Sequence, residues 1–376
     1  MRIGVVRTSL KENENRVPIY PEHLPWIDSE LRKQLVFEKE YGGNYGFADN
    51  YFTQHGASLG TRKELFDNCD LLILPKPVPR DLEQMKEHQI LWGWPHCVQQ
   101  QRITQSAIDK KLTLIAWEAM HHWSRSGERL MHIFYKNNEI AGYAAVLHVF
   151  ELLGIDGLYG PRRKVVIIGY GSVSRGAIYA LQGRGFNNIH VYSKRPVHLI
   201  ADQNPDVYYK NIIMSENGQV LARNYDGTVR PFIEELSEAE IICNCVLQDT
   251  DNPVVFVNNN QLSELKPRSI IIDISCDKGM GFSFAKPTTF DESVFMVGDH
   301  ITYYSVDHTP TYLWNAASRE ISRALIPFLS EISAGPLVWE NNESIRRAIE
   351  IKDGIVKNQK ILSFQKRDCL YPYQCI

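Results

Sequence analysis

The sequence predicts an α/β protein of two Rossmann-like domains with parallel sheets, the second inserted between the halves of the first. Three observations lead there. In the early part of the chain, short apolar runs (RIGVV, QLVFEKEYG, LLILPKP, HQILWGW, LTLIAWE) alternate with helical patterns, the rhythm of a parallel sheet covered by helices. A second series opens with KVVIIGYGSVSRGAIYAL and continues through NNIHVYSKRP, AEIICNCVL and RSIIIDIS. From about Ser305 the text returns to helix in TYLWNAASREISRALIPFLSEI, where apolar residues recur at three-and-four spacing. The expected first domain is 1–138 with 305–376, and the inserted domain is 139–304. A length of 376 residues suits two domains.

Taken in order, the first domain opens on the strand RIGVV and the charged loop KENENRVPIYP, in which Arg16 precedes Pro18. A carboxylate ligand needs a bidentate cation of this kind. Next comes LLILPKPVPR. Leu71 to Leu74 read as a buried strand end, and Lys76 is clamped between Pro75 and Pro77. Proline fixes φ and restricts the residue before it, so one ammonium is held nearly still. Twenty positions on, ILWGWPHC ends the following run with His96, again after a proline. Strand C-terminal ends face the ligand crevice of a parallel sheet. Singly, His96 reads as a strand cap and Lys76 as a solvated cation; together they read as an acid–base pair over a substrate. Glu118 in LIAWEAM either touches a basic side chain of a substrate or is a structural strand-end carboxylate. Trp92 and Trp94 read as core or pocket wall.

The helix EIAGYAAVLHVFELLG is rich in small residues and stops at Gly154. Its small-residue face is an expected interface between copies, and Tyr143 on it is a packing residue. In VVIIGYGSVSRGA a buried strand runs into a glycine turn and a helix. Gly169 permits the tight turn, and Gly171, ahead of Ser172 and Val173, lets the backbone approach a pyrophosphate at the helix N-terminus. The third glycine of GxGxxG is Ser174 here, with Gly176 and Ala177 just beyond. The next strand ends in Ser193, Lys194 and Arg195, where a site for NAD normally carries an acid for the ribose 2′-OH. A hydroxyl and two cations suit a 2′-phosphate, so NADP(H) is the preferred cofactor and NAD(H) the alternative. On the bland reading, Lys194 and Arg195 are solvated loop charges.

The totals exclude other classes. A net charge of −3 and no basic, aromatic-interleaved cluster argue against nucleic acid. No apolar run approaches a membrane span. The seven cysteines are scattered with no CxxC, and the start carries no signal-peptide pattern, which together read as a reduced, cytoplasmic protein. His121, His122 and His132 have no cysteine or second carboxylate at ligand spacing, so no metal is expected. Cys276 reads as buried and inert. Asp307 and His308 in VDHTP shape the turn facing the cofactor, with direct catalysis as the alternative. The tail after Lys352 has no assigned role.

These motifs resemble the alanine dehydrogenase, saccharopine dehydrogenase and pyridine nucleotide transhydrogenase superfamily over roughly residues 1 to 325. In alanine dehydrogenases the start KENENRV, the lysine of LLILPKP, the histidine ending the next strand and EIAG before the long helix recur in this order. The resemblance implies that Arg16 and Lys76 bind a keto-acid carboxylate and carbonyl, and that His96 is the acid–base. It places Asp277 of IIDISCDKGMG beside nicotinamide and substrate. Val246 and Leu247 of CVLQDTDNP complete the expected cofactor-binding residues. IIDISCD and SVDHTPTYLWNAASREIS look more like saccharopine dehydrogenases. GWPHC, AGYAAVL, GYGSVSRGA and CVLQDTDNP look most like the N5-(carboxyethyl)ornithine synthases, which condense pyruvate with the side-chain amine of a basic amino acid and reduce the imine with NADPH.

The implied activity is that condensation. Alanine dehydrogenase with ammonia as donor, saccharopine dehydrogenase with 2-oxoglutarate, and a non-catalytic nucleotide-binding module are the alternatives. Lys76 then serves either as a proton-exchanging group or as a fixed cation on the keto oxygen. Asp277 either orients the amine or balances charge. The implied partners are small molecules, a 2-oxo acid and an amino acid, in a homo-oligomer.

Overall fold

Every apolar run named above forms a strand in the computed structural model, which describes residues 1–298 and 300–375. Asp299 of the expected inserted domain and Ile376 of the tail lie outside the described residues. The chain divides into two compact units, Met1–Asn137 with Trp314–Ile376, and Asn138–Leu313.

The first unit is built on an eight-stranded sheet in the order Ile355–Val356, Ile349–Lys352, Thr113–Ala116, Ile90–Gly93, Leu71–Leu74, Ile3–Val5, Leu35–Glu38, Ser58–Gly60. The last six are parallel. Runs such as LLIL and TLIA are buried at every position, because both faces of a parallel sheet are covered. Ile73, Trp92 and Ile115 face the helix Trp314–Ala334 through Ile321, Leu325 and Leu329. Leu72, Leu91 and Leu114 pack on the other side with Leu65, Ile103 and Ile361. The strand Ile349–Lys352 is added antiparallel at one edge, and the tail beyond it supplies a second strand, Ile355–Val356, and the helix Gln359–Gln365.

The second unit holds a nine-stranded sheet. Its six parallel strands run Val207–Met214, Ile189–Ser193, Val165–Ile168, Ile241–Asn244, Ile270–Asp273, Ile301–Tyr304. Numbered within that set, the order is 3-2-1-4-5-6, so the strand order reverses beside Val165–Ile168, the place where such sheets bind dinucleotides. The fold is thus α/β, with two parallel-rich sheets.

The small-residue face of the helix Tyr135–Leu153 is used inside this unit. A Cβ on Gly142 would lie 1.9 Å from the Val173 carbonyl oxygen, and one on Gly176 would lie 1.7 Å from that of Glu139. The two helix backbones touch, so this face is not the interface between copies that its composition suggested. Gly176 also does what the third glycine of the motif does elsewhere, close packing of the first helix. Ser174, in that glycine's place, is buried and donates its hydroxyl to Gly169 O at 3.0 Å. Tyr143 packs at the margin of this core.

Candidate active site

Three neighbouring parallel strands of the first unit each end in an ionisable side chain. Lys76 follows Leu71–Leu74, His96 follows Ile90–Gly93 and Glu118 follows Thr113–Ala116. Lys76 Nζ and His96 Nε2 are 3.0 Å apart. A hydrogen bond has one donor and one acceptor, so the ammonium donates to an unprotonated Nε2, or the reverse. On the other side of the ring, His96 Nδ1 lies 3.7 Å from Glu118 Oε1, which also accepts the His96 backbone N–H at 2.7 Å. With a proton on Nδ1 facing the carboxyl, Nε2 is the acceptor for Lys76; this tautomer is assigned from the neighbours.

The local backbone explains the pairing. Trp94 N donates to Pro75 O at 2.9 Å, and a Cβ on Gly93 would come within 2.0 Å of Leu74 O. Only glycine lets the two strand ends approach this closely. Gly93 escaped the sequence reading, although a lone glycine in an apolar strand is the signal for such an approach. His96 itself sits at φ +48, a left-handed conformation that costs a non-glycine residue about 1–2 kcal/mol. Its carbonyl accepts from Gln99 N and Gln100 N, and the half-buried Gln365 amide donates to the next two carbonyls, Cys97 O at 2.6 Å and Val98 O at 3.2 Å. The loop is held from both sides of the histidine.

Arg16 is buried, 2 % exposed, with its guanidinium over the Trp94 ring at 5.0 Å. Glu14 takes Nε at 2.7 Å and Nη2 at 2.5 Å, and Asn137 Oδ1 accepts from Nη1 at 3.2 Å. Three of the five guanidinium donors are therefore engaged. Glu14, a fork-to-fork partner two residues away, was missed because a side chain in a charged loop reads as solvated. Trp92 and Trp94 join one core cluster with Trp117 and Phe134.

Glu118 is a quarter exposed along its stem, but its Oε2 is buried and has no hydrogen-bond partner. Burial, and then the neighbouring Glu350 carboxyl, push it up to about 8. The Glu118 carbonyl accepts His132 Nε2 at 3.2 Å, and His132 Nδ1 accepts Phe134 N at 3.0 Å. The His132 ring is thereby fixed as the neutral Nε2–H form; burial lowers it to about 4. His121 and His132 stack edge-on, and the described residues contain no group of three or more His, Cys, Asp or Glu placed to hold a metal ion.

In the second unit, Gly169 has φ +91, and a Cβ there would press on Val246 Cγ2 at 3.1 Å. Gly171 is different: its backbone is extended, and a Cβ would meet nothing within 4 Å. No packing within the chain requires glycine at 171. The open space lies at the N-terminus of the 12-residue helix Ser172–Gly183, whose first N–H groups lack intrahelical acceptors. Such a cradle fits a pyrophosphate. Leu247, at 82 % exposed, stands after the neighbouring strand. At the end of Ile189–Ser193, the Ser193 hydroxyl accepts Arg195 N at 3.1 Å, while Lys194 and Arg195 are exposed.

Asp277 is half-buried, and desolvation, then Asp307, raise it to about 6. Four residues earlier, the fully buried Asp273 accepts from Asn244 Nδ2 at 2.9 Å and from the Tyr303 hydroxyl; burial raises it to about 7. Cys276 is half-buried rather than buried. Its Sγ points at the carbonyls of Asp273, Ile274 and Val306, and burial holds the thiol far above its usual range.

Residues 4–141 match the alanine dehydrogenase/PNT N-terminal domain, and residues 152–359 match the alanine dehydrogenase/PNT C-terminal domain. The chain is 26 % identical to the N(5)-(carboxyethyl)ornithine synthase of Clostridium botulinum, over 83 % of this chain and 89 % of that one. It is 23 % identical to alanine dehydrogenase 1 of Staphylococcus aureus, over 98 % of each. Among solved structures, an L-alanine dehydrogenase superposes with a TM-score of 0.75 at 20 % identity, covering 97 % of this chain and 99 % of that one. A transhydrogenase from Sinorhizobium meliloti gives 0.68 at 16 %, covering 95 % and 99 %. These two superpositions speak for the fold. The chain belongs to the alanine dehydrogenase/PNT family and is an NAD(P)-dependent oxidoreductase of that family.

Proposed function

We propose that the protein condenses a 2-oxo acid, pyruvate, with the side-chain amine of a basic amino acid such as ornithine or lysine, and reduces the imine with NADPH. The observation that carries the proposal is the Lys76–His96 pair, two nitrogens at 3.0 Å on adjacent strand ends. A module that only binds a nucleotide has no use for it. Ser193, Lys194 and Arg195, with no acid at that strand end, support NADPH, because a 2′-phosphate would be repelled by the usual carboxylate.

In this reading Arg16 holds the keto-acid carboxylate through its remaining N–H donors. Lys76 Nζ polarises the keto oxygen. His96 takes a proton from the incoming ammonium at Nε2, freeing the amine to attack. After attack the nitrogen gives up a second proton, passed through Lys76 to the former keto oxygen, and His96 returns the one it took, so that the oxygen leaves as water. A nicotinamide cofactor, when bound, would supply the hydride that reduces the imine. Gly169, Gly171, Ser172 and Val173 would hold its pyrophosphate, and Val246 with Leu247 its nicotinamide end. Asp277 balances the charge of the reacting iminium, and Glu118 holds the His96 ring. A cytoplasmic homo-oligomer is part of the proposal, to be checked by sedimentation.

The test is NADPH oxidation with pyruvate and, in turn, ammonium, alanine, ornithine, lysine and arginine, with product mass recorded. Oxidation with a basic amino acid alone, giving a carboxyethyl adduct, supports the proposal. Oxidation with ammonium alone makes the protein an alanine dehydrogenase, a reading favoured by the similarity to the S. aureus enzyme over nearly the whole of both chains. Turnover only with 2-oxoglutarate and lysine makes it a saccharopine dehydrogenase.

A further inference from the structure

The sheet of the second unit runs on past its six parallel strands into a meander. Val207–Met214 turns back as Val220–Arg223, and Val229–Pro231 follows at the edge. Ser193 is in register with Asn211, Asn211 with Arg223, and Arg223 with Val229. Residues in register on neighbouring strands share a face of the sheet, and directly opposed Cβ atoms on antiparallel strands lie about 5 Å apart. One row therefore reads Ser193, Asn211, Arg223, Val229, and it starts at the strand end where a dinucleotide's adenosine ribose binds.

Asn211 ties this row to the turn above it. Its Nδ2 donates to Ser193 O at 3.2 Å and to Arg195 O at 2.6 Å, so the turn Ser193–Arg195 leans over the Asn211 strand, on the side of Arg223. The buried Ser193 hydroxyl accepts Arg195 N at 3.1 Å, and among the described residues no acceptor takes its own proton. Lys194, Arg195 and Arg223 are exposed, and among the described residues no hydrogen bond or ion pair engages their side chains.

The cations on the opposite face of the same strands are neutralised. Lys210, next to Asn211, and Arg230, in register with Ala222, both reach the fully buried Glu235 carboxylate, at 3.4 and 2.6 Å. Arg230 also meets Glu238 at 3.0 Å. The row of Ser193 and Arg223 carries no acid. A hydroxyl proton and three cations, on and beside one braced turn, are a donor set for a doubly charged anion.

We propose that Arg223 is a specificity-determining residue: its guanidinium bonds the 2′-phosphate of NADPH, alongside the Ser193 hydroxyl, Lys194 and Arg195. The assignment rests on the proposed preference for NADPH, and it adds a contact from a strand outside the segment that carries the other three. A phosphate monoester holds about −1.5 to −2 charges at neutral pH, and a planar guanidinium meets two of its oxygens at once. NADH has only a hydroxyl at that position and gains nothing from Arg223.

Binding of NADPH and of NADH to the full chain, read by fluorescence titration, tests this without any substrate. Wild type is expected to hold NADPH about 10- to 100-fold more tightly than NADH. Arg223→Ala should weaken NADPH by about tenfold and leave NADH within about twofold, and Arg223→Lys should recover part of the loss. Arg223 is exposed, so neither change is expected to lower Tm. A wild-type preference for NADPH that Arg223→Ala leaves intact overturns the role of Arg223 while the NADPH reading stands. Equal losses for the two cofactors overturn it as well, since the effect is then not on the phosphate. Equal wild-type affinities overturn the NADPH reading, and the role of Arg223 with it.

Discussion

The two units put opposite things at the ends of their central strands. In the first, adjacent strands end in Lys76, His96 and Glu118, three side chains whose polar atoms are in or near hydrogen-bond contact. In the second, the central strand ends in Gly169 and Gly171, where side chains are absent. The difference lies in what each end must hold constant. In the proposed reaction a group that exchanges protons has to be fixed in place, and the first unit restrains it: prolines either side of Lys76, a left-handed His96, a glycine at 93 that lets the strand ends close. A cradle for a phosphate has to be empty, and its restraint lies in positive φ and in the helix packing behind it. Where chemistry is done by side chains, the backbone is strained; where it is done by backbone N–H groups, the side chains are removed.

Changes on the two sides should therefore separate cleanly. Replacing His96 by Asn is expected to lower turnover by about 10³-fold, with NADPH affinity unchanged by fluorescence titration; turnover within tenfold of wild type would take His96 out of the mechanism. Lys194→Ala with Arg195→Ala should cost roughly 10- to 100-fold in kcat/KM for NADPH and little for NADH, a comparison that fails if both cofactors lose equally. Gly171→Ala is expected to raise the cofactor Kd by about tenfold without lowering Tm, since the new Cβ meets only open space in the free protein. Gly176→Ala should do the reverse, lowering stability by about 1–3 kcal/mol against the Glu139 carbonyl. Loss of Tm in both would mean that Gly171 is only a packing residue.

The smallest expected effect is on pH and stability. Asp273 is raised from 3.8 to about 7, so the folded state binds its proton more tightly than the unfolded chain. Its contribution is full below about pH 4 and is lost as the pH rises through about 7. Glu118, at about 8, and Asp277, at about 6, run in the same direction. Tm should fall by several degrees between about pH 5 and about pH 8. Asp273→Asn should flatten part of that slope; an unchanged slope would assign it to the other carboxyls.

How much of this was legible depends on how local each signal is. The parallel strands and the glycine turn are patterns of neighbouring residues, so periodicity and glycine spacing found them. Lys76 and His96 were found because prolines on the chain beside them marked restrained positions. The helix face around Gly142 was misjudged, since composition shows a small face without showing which surface occupies it. Glu14 was overlooked because only the folded loop turns it onto Arg16.

By itself the sequence determined the two α/β sheets, the glycine loop, the non-acidic end of the second strand of the inserted domain and the pairing of Lys76 with His96. All of these rest on short-range periodicity and on backbone preferences that a few residues specify. The tertiary structure decided the rest: the 3.0 Å separation of Lys76 and His96, the Glu14 fork on Arg16 and the internal use of the small-residue helix face. Each of those depends on segments distant in sequence, or on backbone geometry away from the regular repeat, being brought within a few ångströms. Burial and unsatisfied polar atoms then determine which groups must pair, and neither quantity exists until the chain has folded.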